Sequence, residues 1–252
     1  SDAKSIKRRA IKDGNEWVIK GEQIFITFGL EADFAIVFAV TDKEKGANGG
    51  ITCFLVDRDM GWRAEEIHTL DGWNPATLIL DNVRVPEENV LGEVGKGFEL
   101  GLRWITKGRT GIPARAVGIA ERLLQMGIDY AKERIAFGKP IAEYQAIQWM
   151  LADSAVELEA AKWLVINAAY MAEQGKDARH HASIAKLYGA NMVNRVVDRV
   201  LQIHGGMGLT KELPIEYWYR AVRKYRIFEG TDEILRRTIA RNLIKGYVKI
   251  GE

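Results

Sequence analysis

Cysteine is almost absent from this 252-residue sequence, with Cys53 standing alone. One cysteine excludes an internal disulfide and any cysteine-based metal site. Histidine is scarce too: there are four, and the neighbours His180 and His181 would point in different directions on a helix. A histidine metal centre has little support, so no metal is expected. No apolar run reaches the roughly 18 residues of a membrane-spanning helix, so no membrane span is expected. An excess of one charge is also lacking, since 36 basic and 34 acidic residues leave +2 without a like-charge block. That disfavours nucleic acid, whose binding draws on a basic face. The short run at residues 7–9, "KRR", reads as part of a solvated strand.

What is present is the balance of a globular protein, 47% hydrophobic and 28% charged. The pattern changes near residue 96. Before it lie short runs rich in β-branched and aromatic residues, "EWVIKG", "QIFITFG", "FAIVFAV", "GITCFLV" and "ATLILDNV", separated by turn-like pieces. "IKRRAIK", "DGN" and "EWVIK" form a predicted hairpin. "VRVPEENVLGEVGKGF" is a connector broken by Pro86, Gly92, Gly95 and Gly97. After it, apolar residues recur at helical spacing. Ile112, Ala116, Ile119, Leu123 and Tyr130 share one stripe, and Ile147, Leu151, Ala155 and Leu158 another.

The second helix is predicted over 143–174, with Gly175 as its stop, and a third over 178–201, ending in "HGGMG". Pro214 opens a further helix that ends before "IFEGT". Thr231 is the N-cap of the last, with Asp232 and Glu233 in its first turn and Lys245 and Gly246 at its close. The expected class is α+β: a small antiparallel β domain over 1–96, then an up-down four-helix bundle over 97–252.

Each local motif carries two readings. "HGGMG" is a glycine helix stop or a loop approaching a ligand, and it lacks GxGxxG spacing. "KERIAFGKP" is a basic helix end followed by a turn, or an anion contact. Thr27 in "FITFG" is a satisfied strand threonine or a neighbour of a stacked ring. Glu229 in "IFEGTDEI" is an acid favoured by the following helix N-terminus, or a base raised in pKa by apolar surroundings such as Ile227 and Phe228. Locally, the structural reading of each is the commoner one.

Taken in order, these pieces read differently. "GNEWVIKGEQIFITFG", "VRVPEENVLGEVGKGF", "GRTGIPARAVGIAERLLQMGIDYAKERIAFGKPIAEYQAIQWMLAD" and "LQIHGGMGLTKELPIEYWYRAVRKYRIFEGTDEILRRTIARNLI" together resemble the acyl-CoA dehydrogenase family over nearly the whole chain. The resemblance implies an FAD-dependent oxidoreductase of fatty acid metabolism that dehydrogenates an acyl-CoA thioester between its α and β carbons. It implies that Glu229 takes the α-proton while hydride goes to flavin N5. Phe25 and Thr27 would lie along the flavin. Arg134 and Phe137 would meet the pyrophosphate and adenine end from a partner subunit. Gln202, Gly205 and Gly206 would line the adenosine portion, and Thr231 would contact FAD beside the base. Arg109 would stand near the thioester end of the substrate, and Ser1 would keep a substrate-side serine. Some branched-chain members place the base one residue before that arginine; here that position is Gly108, which leaves Glu229 as the base candidate.

The implied assembly is a homotetramer, a dimer of dimers, passing electrons to an electron-transferring flavoprotein. The implied location is the cytoplasm, or the mitochondrial matrix of a eukaryote. Departures accompany the likeness. "SDA" at residue 1 looks like the tail of the family's "TEPxAGSDA", so a fragment, a split-gene product or a trimmed chain is expected. The loop in "HTLDGWNPATLIL" has Asn74 and Pro75 where the family often has an arginine, and Phe28 replaces a small polar residue. Two further readings stand beside the dehydrogenase: a truncated, non-catalytic flavin-binding or assembly subunit, and an acyl-CoA oxidase-like enzyme.

Overall fold

Period-two burial along the first hundred residues builds a sheet, and period-3.6 burial beyond them builds helices. The computed structural model describes residues 1–249. The chain divides into two compact units, Asp2–Trp104 and the part from Ile105 onward.

The first unit holds β1 (Arg9–Asp13), β2 (Glu16–Ile26), β3 (Phe34–Val40), β4 (Ile51–Asp57), β5 (Arg63–Glu66) and β6 (Ala76–Pro86). They form one sheet in the order β4-β3-β1-β2-β6-β5. The predicted hairpin is β1–β2, with Asp13 opposite Glu16 and Gly14 at φ +62° in the turn. The sheet departs from a purely antiparallel one at a single pairing. β3 follows the reversal of β2 and comes to lie beside β1 in parallel, joined through Arg9 and Val40. Ile19, Val37, Phe54, Leu78 and Val85 are buried beneath the sheet. β2 breaks register against β6 between Gln23 and Ile26, and Phe25 within that irregularity has φ +60°. Gly95 in the connector donates its N–H to Thr52 Oγ1 at 2.9 Å, which ties the connector to β4.

α1 (Gly97–Glu133) begins in this unit and continues as the first helix of the next. α2 (Gln145–Glu173), α3 (Arg179–His204), α4 (Ile215–Ala221) and α5 (Asp232–Ile244) follow. α3 is the centre: Ala182, Ala185, Gly189, Met192, Val196 and Val200 are all buried, as suits a helix packed on several sides. Gly189 lets α3 approach α1 closely, since a Cβ there would lie 2.8 Å from Pro113 Cβ. α3 runs past the predicted end at 201 to His204, whose ring stacks on Tyr130 of α1 at 4.3 Å. The segment after Pro214 is shorter than a bundle helix, with seven α-helical residues leading into a 3-10 stretch, Val222–Arg226.

α2 turns toward its neighbours the side that its periodicity predicts, rotated slightly toward a row of small residues. Ser154, Ala161 and Ala168 are covered, whereas Ile147, Leu151 and Leu158 are half-buried and Ala155 is exposed. The opposite face of α2 is apolar as well, with Trp149, Val156, Trp163 and Tyr170 exposed at seven-residue spacing. Between α1 and α2, β7 (Ile135–Ala136) and β8 (Lys139–Pro140) form a two-residue hairpin. Among the described residues no helix is long and apolar enough to cross a membrane.

Candidate functional site

Glu229 sits in a left-handed turn just before α5. Its φ is +55°, and Gly230 follows at +99°. A non-glycine residue in that region costs about 1 kcal/mol or more, so the surrounding structure must hold it there. Two cations do so. Arg109 Nε on α1 donates to the Glu229 carbonyl oxygen at 3.0 Å, and Lys186 Nζ on α3 donates to the Gly230 carbonyl oxygen at 2.6 Å. Glycine at 108 leaves room for the carboxylate, since a Cβ there would stand 2.7 Å from both Glu229 Cδ and Oε2. Glycine at 230 spares Arg109, whose Nη2 would otherwise lie 3.0 Å from a Cβ.

Thr231 caps α5, its Oγ1 accepting the Ile234 N–H at 3.3 Å. Glu229 therefore precedes the N-cap and stands outside the first turn, where the helix dipole acts. Burial dominates instead. It pushes the Glu229 carboxyl above the usual carboxylate range, against the pull of Arg109 and then Lys186. Glu229 Oε2 is buried without a hydrogen-bond partner. A carboxylate with a raised pKa and a free buried oxygen is suited to taking or giving a proton. Beneath it, buried Asp232 Oδ2 accepts from Asn191 Nδ2 at 3.0 Å and Arg226 Nε at 2.8 Å, anchoring the start of α5.

A second group lies at the far end of α1. Phe137 (φ +50°) and Gly138 (φ +85°) form the tip of the β7–β8 hairpin, and Phe137 is 98% exposed. An aromatic held in a strained conformation and wholly in solvent has no packing role inside its own chain. Arg134 is exposed at the hairpin's base. The Tyr130–His204 stack sets the end of α3 beside the end of α1. There Gln202, Gly205 and Gly206 are exposed, and a Cβ on either glycine would meet nothing within 4 Å. Gly205 at φ +56° ends α3, so the glycine-stop reading of "HGGMG" describes its backbone. The rise of α1 puts about 33 Å between Gly108 and Tyr130.

In the other unit, Thr27 is exposed just past β2, flanked by Phe25 at 63% and Phe28 at 55% exposure. Ser1 is exposed. The structure thus brings Glu229, Arg109 and Thr231 together and gathers Arg134, Phe137, Gln202, Gly205 and Gly206 apart from them. Sequence reasoning missed Lys186. The available signal was a lysine set among Ala182, Ala185, Gly189 and Ala190. Among the described residues no group of three or more histidine, cysteine or acidic side chains is placed to hold a metal ion.

The architecture is α+β in two units, and comparison with known proteins identifies its family. Residues 95–244 match the acyl-CoA dehydrogenase C-terminal domain, and residues 1–83 match the acyl-CoA dehydrogenase middle domain. The chain belongs to the acyl-CoA dehydrogenase family. It is 40% identical over 250 residues to the caffeyl-CoA reductase-Etf complex subunit CarC of Acetobacterium woodii, covering 97% of this chain and 65% of that protein. It is 41% identical over 249 residues to the 3-(aryl)acrylate reductase of Clostridium sporogenes, covering 97% and 66%. Among solved structures, butyryl-CoA dehydrogenase from Megasphaera elsdenii superposes with a TM-score of 0.92 at 36% identity, covering 96% of this chain and 64% of that one. The chain spans about 65% of the length of the curated relatives it matches.

Proposed function

We propose that this chain carries the base-bearing part of an FAD-dependent acyl-CoA dehydrogenase site, with Glu229 as the residue that exchanges the substrate's α-proton. The observation that carries the reading is the Glu229 side chain itself: half-buried, raised in pKa, with Oε2 buried and unpartnered and its turn held by Arg109. In the oxidative direction Glu229 Oε2 removes the α-proton of the thioester, the Cα–H electrons forming the new Cα=Cβ bond. Arg109 holds the turn so that the carboxylate reaches that carbon without rearrangement. FAD, when bound, supplies the two-electron acceptor for the β-hydrogen.

The residues present fit such a cofactor. Phe25 and Phe137 are exposed aromatics in strained, positive-φ backbone, and Gly205 and Gly206 open bare backbone to solvent. Phe25, Thr27 and Thr231 are assigned to the flavin end, with Ser1 and Arg109 on the substrate side. Arg134, Phe137, Gln202, Gly205 and Gly206 are assigned to the adenosine and pyrophosphate end of a second copy's cofactor. The length of α1 between the two groups supports that division. The exposed α2 stripe of Trp149, Val156, Trp163 and Tyr170 supports assembly with further copies, a dimer of dimers in this reading.

The relatives' names favour a second direction for the same site. Reductases stand among them, one a subunit of an Etf complex. In that direction Glu229, as the carboxylic acid, would give its proton to the α-carbon of an α,β-unsaturated thioester, and reduced FAD, when bound, would supply the hydride for the β-carbon. An electron-transferring flavoprotein is then the redox partner in either direction. The cytoplasm, or the mitochondrial matrix of a eukaryote, is the location that goes with this chemistry.

The test is the flavin-region absorbance of the purified, FAD-loaded protein under anaerobic addition of saturated acyl-CoA thioesters of different chain lengths. Bleaching supports the dehydrogenase reading, and rapid reoxidation by oxygen afterwards would reassign it as oxidase-like. Flavin bound but unchanged by every thioester would mean a non-catalytic flavin-binding subunit.

A further inference from the structure

Lys186 is wholly buried, in the first half of α3. Buried lysines are rare unless paired, and the pairing here is unusual. The hydrogen bond of its ammonium goes to a backbone carbonyl, Gly230 O, at 2.6 Å, rather than to a carboxylate. Asp232, the nearest buried acid on α5, is instead engaged by Arg226 and Asn191. Gly230 is the residue after Glu229, and Arg109 holds the preceding carbonyl. Consecutive carbonyls of one left-handed turn are thus held by cations from two helices.

We propose that Lys186 is a positioning residue for Glu229: through the Gly230 carbonyl it fixes the left-handed turn that aims the carboxylate past Gly108, and its charge keeps that carboxylate ionised despite burial. The inference rests on the reading of Glu229 as the proton-exchanging group. The charged groups facing Lys186 are Asp232 and Glu233 of α5, Glu229 of the turn and Arg109 of α1. The carboxylates among them favour the ammonium, and Arg109 opposes it. Burial outweighs them and brings the Lys186 pKa down to about 8, so its charge is present at neutral pH and lost just above it. Neither Lys186 nor its carbonyl partner needs to touch substrate for this effect, because the ammonium acts on the turn and on the field at the carboxylate.

The test measures the protonation of Glu229 directly, by infrared titration of its carboxyl band in the FAD-loaded protein, with the band assigned by subtracting Glu229→Gln. Lys186→Met removes both charge and donor, and Lys186→Gln keeps a donor without the charge. Both variants are expected to raise the Glu229 midpoint by about one pH unit. Lys186→Met is expected to slow acyl-CoA-dependent flavin bleaching on the order of 10- to 100-fold at pH 7, and Lys186→Gln to slow it less. An unmoved midpoint in both variants overturns the proposal, whatever the rates. If neither variant folds, the unaltered protein still decides: the ionised Glu229 band shifts as alkaline titration discharges Lys186, whose own protonation is followed by NMR of isotope-labelled lysine, and a band constant across that discharge overturns it. Should Glu229→Gln itself bleach at the normal rate, the base reading fails instead, and the titration still reports whether Lys186 sets the Glu229 midpoint.

Discussion

Gly108 on α1 faces the Glu229 carboxylate so closely that a β-carbon would stand 2.7 Å from Oε2. The atoms that such a carbon would displace are the far end of a flexible side chain, so the carboxylate would move while the backbone stayed. Gly108→Ala is therefore expected to keep the fold and gain up to about 1 kcal/mol of helix propensity. The same change should slow acyl-CoA-dependent flavin bleaching about 100-fold by misplacing the base. Thermal melting and stopped-flow absorbance on the same sample check both halves of this. Equal losses in stability and rate would show that Gly108 serves packing instead.

Burial of Glu229 makes its ionised form a burden on the fold. Its folded pKa lies above the unfolded value of 4.5, so the protonated carboxyl contributes stability that is complete below that value and lost as pH rises through the folded pKa. A neutral amide escapes that loss. The melting temperature of Glu229→Gln, relative to the unaltered protein, is expected to climb as pH rises from 4.5 toward neutrality. A difference that stays flat or declines over that interval would mean that the carboxylate is not penalised by its surroundings.

The parts of this arrangement that follow local rules were legible from the residues. Thr231 caps α5 because a threonine before two acids satisfies free N–H groups, and Gly175 ends α2 at φ +69° because glycine tolerates that region. Gly14, at φ +62°, turns the first hairpin for the same reason. The covered side of α2 was legible from Ile147, Leu151 and Leu158, but not that the small residues Ser154, Ala161 and Ala168 beside them are the most deeply buried, because close packing against a neighbour and not hydrophobicity selects them. Nor was Lys186, since a mid-helix lysine ordinarily reads as solvated. Which force sets the Glu229 pKa was not legible either: the octapeptide shows a helix start and apolar neighbours, but not that burial outweighs the charges of Arg109 and Lys186.

Phe137 offers a test of the second group. At 98% exposure and φ +50° it contributes strain and little packing, so Phe137→Gly is expected to leave the melting temperature of flavin-free protein unchanged or slightly raised. If the ring stacks on a cofactor held mainly by another copy, the same variant should retain FAD about tenfold less tightly. Fluorescence titration of released flavin measures this. Undiminished retention would remove Phe137 from the cofactor site.

Asp232 is 2% exposed and holds Asn191 and Arg226 at the root of the turn. Asp232→Ala leaves the Asn191 amide short of a partner, while the partly exposed Arg226 can swing into solvent. The expected cost is about 2–3 kcal/mol, read from urea unfolding of the flavin-free protein. A cost below about 0.5 kcal/mol would show that water replaces the carboxylate and that α5 does not depend on this anchor.

The central claim is that Glu229 exchanges the substrate's α-proton, and the most direct measurement compares Glu229→Gln with the unaltered, FAD-loaded protein during anaerobic acyl-CoA addition. The account predicts equal flavin content and acyl-CoA affinity in the two, with bleaching at least about 1,000-fold slower in the variant. Bleaching at the same rate in both would contradict it and move the base elsewhere.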